Sequence, residues 1–155
     1  MQHCEESSWK SFDQVQDWSF NKAAKLMFRK QARMVRLTAV ERDLPLVWLT
    51  RTHSSLNTLT NYLCHDAKVK PESIVNGFMS ERDFPALTTA CGTVSASKLR
   101  MGDVNSTDEF EEVVLSLAEE DGFSYVLCDW RLSREEILLA KNMAQKGNVT
   151  VCWPP

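Results

Sequence analysis

Five cations recur at helical spacing early in this 155-residue chain: Lys22, Lys25, Arg29, Arg33 and Arg36. At about 100° per residue they fall within roughly a quarter of a helix circumference. Such a row attracts anions. It can follow the phosphates of a nucleic acid with salt-sensitive, sequence-independent affinity, or face the carboxylates of an acidic protein. A solvated surface face is the third reading. No aromatic residue interleaves with the row, which argues against a platform for stacking single-stranded bases.

Other residues invite chemistry at close range. Lys22 stands where a phosphate-binding lysine would if the chain cradled a nucleotide. That cradle needs glycines before the lysine and a Ser or Thr after it. Here the chain reads Trp18-Ser19-Phe20-Asn21-Lys22-Ala23-Ala24-Lys25, and no glycine precedes Gly77. Asp129 closes the apolar run Tyr125-Val126-Leu127-Cys128. Open α/β sheets place ligands at such strand ends, so Asp129 reads either as a cation ligand or as a capping residue. His3-Cys4 and Cys64-His65 lack the spacing of a zinc site. His53 beside Ser54 and Ser55 lacks a third orienting group. The sequence therefore predicts no catalytic residue, no metal and no cofactor.

Composition supports one soluble, cytoplasmic domain. The net charge is −3 and the five cysteines are odd in number and scattered, which suits reduced thiols better than a disulfide framework. No apolar run is long enough to span a membrane. Charge is uneven. Lys22 to Arg42 holds seven cations against Glu41, whereas Glu109 to Asp121 is acidic. A bipolar protein of this kind uses its basic end on an acidic partner.

The elements that position these residues follow from periodicity and caps. Residues 1–12 are polar and aperiodic, which predicts a mobile terminus. An amphipathic helix is expected over 13–39, with Ala24, Phe28 and Val35 opposite the cations. Leu44–Leu49 reads as a strand with Pro45 at its start. Ser54 or Ser55 caps a helix to about Cys64. Glu72–Asn76 is a short helix ended by Gly77. Ser80 caps a helix toward Ala90, Leu99–Val104 is a short strand, and Ser106 or Thr107 opens a helix to about Glu120. Tyr125–Trp130 is the strongest strand. Ser133 and Glu136 form a capping-box pattern for a helix that stops at Gly147, before a last strand at Val149–Trp153. Trp9, Trp18, Trp130 and Trp153 read as core or as interface anchors. Alternating strands and helices imply a mostly parallel sheet covered on both faces.

In this order the elements resemble the RecA-like core of the DnaB replicative helicases. Val47-Trp48-Leu49-Thr50 looks like the strand after that family's P-loop helix. Ile74 to Phe84 looks like its helical insertion, and Ser124 to Trp130 like its Walker B strand, with Asp129 in the Walker B position. The resemblance runs from Val47 to Trp153. It implies a single RecA-like α/β domain over 13–155 with a mostly parallel sheet flanked by helices. The departures imply a lost nucleotide site. The P-loop glycines are missing, and Thr50-Arg51-Thr52 stands where the family carries its catalytic glutamate. On that basis Asp129 is a vestige and the chain is expected not to be an enzyme. A second resemblance, to the cell-division inhibitor SulA, rests on Trp48-Leu49-Thr50, Val126 to Trp130 and Leu132-Ser133. The expected function is protein binding, with a replicative helicase or another RecA-fold replication protein as partner. FtsZ and DNA are the alternatives, and the row Lys22, Lys25, Arg29, Arg33 and Arg36 is the expected contact.

Overall fold

The computed structural model describes residues 22–155. The expected mobile segment 1–12, the start of the 13–39 helix, Cys4, Trp9 and Trp18 lie outside the described residues. The chain forms two compact units. Of the described residues, one takes 22–34 together with His53–Ala96; the other takes Val35–Thr52 and Ser97–Pro155.

The second unit carries the sheet. Strands β1 (Leu46–Thr50), β2 (Leu99–Asp103), β3 (Ser124–Cys128) and β4 (Val149–Cys152) lie in the order β2-β1-β3-β4, all parallel. Each connection between consecutive strands runs through helix, as parallel pairing requires. Leu46 pairs with Leu99 on one side and with Tyr125 on the other, so β1 is fully interior. Its five residues are all buried, which is why it reads as a continuous apolar run rather than an alternation.

One sheet face packs under α5 (Thr107–Glu119) and α6 (Arg134–Lys146). Val47, Leu49, Val126, Cys128, Val149 and Val151 meet Phe110, Val114, Leu117, Ala140 and Met143 there. Phe110 is wholly buried and stands edge-on to Trp130 at 5.7 Å. Burial of such a side chain stabilises by roughly 1.5–3 kcal/mol. On the opposite face Leu46, Trp48 and Leu127 are also buried. Both helices start as their caps predict. Ser106 accepts from the Glu109 amide, and Ser133 accepts from Glu136 while the Glu136 carboxylate accepts from the Ser133 amide. Gly147 ends α6 in the left-handed region at φ 86°.

The first unit is helical. It holds α1 (Lys22–Val35) up to Met34, then α2 (Ser55–Ala67), α3 (Pro71–Val75) and α4 (Asp83–Ala96). Ser54 caps α2, accepting from the Asn57 amide at 3.2 Å. Helix α4 departs from its expected bounds at both ends. Ser80 does not cap it. The Asp83 carboxylate instead accepts from the Ser80 amide at 2.8 Å, closing a turn, and helix begins at Asp83. Pro85 explains the shift, because proline lacks an N–H and sits comfortably only in a first turn. The helix then runs through Gly92, which adopts no positive φ, to Ala96.

The expected α-helix to residue 39 also changes character. From Arg36 to Glu41 the chain winds as a π-helix. The wider i→i+5 spacing sets Arg36 over Glu41, and their side chains pair at 3.2 Å.

Candidate functional site

The strand order contains a reversal. The chain leaves β1 for β2 on one side and leaves β3 for β4 on the other, so β1 and β3 flank a switch point. The crevice at the carboxyl ends of such strands is the usual ligand position in open α/β sheets. Four residues from three separate stretches meet there: Arg51 just past β1, Asp129 and Trp130 just past β3, and Glu136 in the first turn of α6.

Asp129 is buried, and its Oδ1 accepts the Arg51 amide at 2.8 Å and the Thr52 amide at 3.3 Å. It thus turns the chain as it leaves β1, which is the capping reading of this residue. Beside it, the Thr50 hydroxyl donates to Asp103 Oδ1 at 3.1 Å and ties β1 to the end of β2.

The Arg51 side chain spans the edge. Its Nη2 donates to Glu136 Oε1 at 2.8 Å and to the Ser106 carbonyl at 2.9 Å. Its Nε donates to the Val104 carbonyl at 3.3 Å. The guanidinium carbon lies 4.2 Å from the centroid of a Trp130 ring, a cation–π contact. Arg51 keeps 25% of its side chain exposed, whereas Glu136 keeps none. The Glu136 carboxylate is saturated. Oε1 also accepts from the Thr107 hydroxyl at 3.1 Å, and Oε2 accepts from the Ser133 amide and the Trp130 indole. Burial alone would raise the pKa of this carboxyl. The Ser133 amide, Arg51 and Trp130 outweigh burial and hold it below the usual glutamate range. The helix N-terminus adds to the same effect.

The expected cationic row is partly elsewhere. Lys25, Arg29 and Arg33 are exposed on α1, and Phe28 and Val35 are buried as the periodicity requires. Lys22 opens the helix. Arg36 is exposed but belongs to the sheet-bearing unit and is paired with Glu41. The structure therefore brings Asp129 to the carboxyl edge and leaves Lys25, Arg29 and Arg33 on the first unit. Trp130 is buried and Trp153 partly so. Cys64 is buried, its thiol pushed up to about 11 by burial, with Glu72 and Cys91 adding to the rise. The neighbouring His65 ring meets Phe28 edge-on at 6.0 Å. No group of three or more His, Cys, Asp or Glu is placed to hold a metal among the described residues. No helix among them is long and apolar enough to cross a membrane.

Sequence reasoning missed Arg51 and Glu136 as a pair. The one available signal was an arginine immediately after a buried strand, where solvent exposure cannot be assumed.

No family model matches the chain, and no curated protein does. Solved structures do. A DnaB-like replicative helicase, described with its interactions with primase, superposes with a TM-score of 0.59 at 15% identity, over 74% of this chain and 33% of the helicase chain. An ATPase domain superposes with a TM-score of 0.60 at 18% identity, over 74% of this chain and 47% of the other. The chain thus spans less than half the length of these neighbours. At such identity the likeness establishes the fold: a RecA-like helicase-domain architecture built on an all-parallel sheet. It also corrects one expectation. The missing P-loop glycines and the missing glutamate at Thr50-Arg51-Thr52 lead to the expectation of no enzyme, yet a DnaB-like replicative helicase and an ATPase domain share this fold. The fold is one that an ATPase domain also uses, so missing glycines in one segment do not exclude an enzyme. The SulA resemblance is not carried by either neighbour.

Proposed function

We propose that this chain works in DNA replication as a cytoplasmic RecA-fold domain that binds a replication protein, with a replicative helicase as the first partner. The observation that carries this reading is the fold likeness to DnaB-like helicase domains. A domain built on the same core as its partner's subunits presents related packing surfaces, a step that is analogy. That one such neighbour is described with primase supports a replication protein as the partner class.

The contact is the exposed row Lys25, Arg29 and Arg33 on α1, the helix that Lys22 opens. Phe28, Ala32 and Val35 anchor the opposite face of the helix. The test is calorimetric titration of a purified DnaB-like helicase, with FtsZ as the comparison. Arg29→Glu with Arg33→Glu leaves the circular dichroism spectrum unchanged, because exposed substitutions cost within about 0.5 kcal/mol. It weakens helicase binding and flattens its salt dependence. Equal binding by the double variant, or binding to FtsZ alone, overturns the reading. A second reading is favoured by the same row: contact with DNA. Loss of each phosphate contact would then lower the salt slope by about one unit.

A further inference from the structure

A groove of about 390 Å³ runs between the edge strand β2 and α5, within the sheet-bearing unit. Its shape follows from one glycine. The register pairs Arg100 with Val47 and Gly102 with Leu49, so these two β2 residues face α5. Arg100 is drawn aside, gripping Glu120 through two bonds of 3.1 and 3.0 Å. Gly102 has no side chain to offer. Leu49 and Val47, almost wholly buried, close the bottom of the groove beneath Gly102, and the partly exposed Val113 of α5 gives it an apolar wall.

The rim is acidic. Glu112, Ser116 and Glu120 follow one another at i, i+4 and i+8 along the helix. Glu120 is held by Arg100, whereas no cation of the described residues pairs with Glu112. No Lys or Arg occurs between Arg100 and Arg131, while Asp108, Glu109, Glu111, Glu112, Glu119 and Glu120 all do. An apolar trough that ends at a carboxylate suits a side chain with an aliphatic stem and a cationic head.

The strand beside it offers main chain. Leu46 N–H donates to the Lys98 carbonyl and Val104 N–H to the Thr50 carbonyl. In a parallel pair the bonding residues alternate, so Lys98, Arg100, Gly102 and Val104 bond toward β1. The N–H and C=O of Met101 face the other way, where β2 has no neighbouring strand among the described residues. Extended peptides add to such edges.

We propose that this groove docks an extended basic peptide of a partner protein. The peptide lies along β2 at Met101. It lays one Lys or Arg stem across Gly102 and sets the cation against Glu112. This surface is independent of the α1 row and takes the opposite charge.

The test uses fluorescence anisotropy with the capped, labelled peptide Ala-Leu-Lys-Leu-Ala and its norleucine-for-lysine counterpart. The full chain binds the lysine peptide more tightly. Glu112→Gln and the norleucine peptide each weaken binding roughly two- to fivefold, the range of an exposed ion pair, and together cost no more than either alone. Gly102→Ala weakens it as well. A Cβ there meets Leu49 Cδ2 at 3.5 Å, an ordinary contact, so that variant keeps its fold while the floor rises. Glu111→Gln leaves affinity unchanged. No binding by the parent chain, equal affinity for the norleucine peptide, or an equal loss in Glu111→Gln overturns the proposal. Self-association that the lysine peptide displaces also overturns it, in favour of a second copy of this chain.

Discussion

Replacing Arg51 by methionine keeps most of the aliphatic stem and deletes the charge. Glu136 then stays buried with the Thr107 hydroxyl, the Ser133 amide and the Trp130 indole as donors, but with no cation. Removing one partner of a buried pair costs about 3–5 kcal/mol. Arg51 is a quarter exposed, so solvent screening brings the expected loss toward the lower end, about 3 kcal/mol. In urea unfolding followed by circular dichroism this lowers the midpoint by roughly 1–3 M. The pH dependence identifies the cause. In the parent chain Glu136 has a lowered pKa, so its contribution is present above the unfolded value of about 4.3 and is lost as pH falls through the folded value. Without Arg51 the raising effect of burial is opposed less, and the folded pKa moves up. The variant's deficit is therefore large at about pH 7 and shrinks toward about pH 4. A deficit under about 1 kcal/mol, or one that is the same at both pH values, would refute the assignment of Arg51–Glu136 as a buried ion pair.

Three further outcomes follow from the same structure. Asp129→Ala strands the Arg51 and Thr52 amides and lowers stability by about 2 kcal/mol, while Asp129→Asn keeps an acceptor and costs less in the same urea assay. Gly147→Ala forces a side chain into the left-handed region at φ 86° and lowers the melting midpoint by the equivalent of about 1 kcal/mol. In a Cys4→Ser background the exposed Cys91 reacts first with a thiol reagent at neutral pH. Cys64, buried and with its thiol near 11, and Cys128, buried and raised beyond it, react only on unfolding, as mass spectrometry of the quenched protein would show.

The frame of the fold was legible because its signals are local. Ser54, Ser106 and Ser133 cap helices from adjacent positions, Gly77 and Gly147 end them, and β1 and β3 are short apolar runs flanked by polar turns. The parallel sheet follows from those elements and from the helical connections between them. Misreadings arose where a second local rule competed. Pro85 overrode Ser80 as the marker of the α4 start, and the last turns after Val35 widened into a π-helix that an α period does not anticipate. The carboxyl-edge network was not legible, because its central bond joins residues 85 apart in sequence. Glu136 looked complete as a capping-box partner, and nothing in periodicity distinguishes an exposed cap from one with no side-chain exposure. From sequence, Trp130 reads as core or as an interface anchor. It is both packed and polar, since its indole N–H satisfies a buried carboxylate.

The two proposed surfaces must be read by partners of opposite sign, which separates them experimentally. The α1 row presents Lys25, Arg29 and Arg33 to an acidic protein or to phosphates, whereas the α5 rim presents Glu112 beside an apolar trough. Salt weakens both, so ionic strength alone cannot tell which is in use. Charge-changing variants can: loss of affinity in Arg29→Glu with Arg33→Glu but not in Glu112→Gln assigns a partner to α1, and the opposite pattern assigns it to the groove. The net charge of −3 conceals this division, because it sums a basic segment and an acidic one.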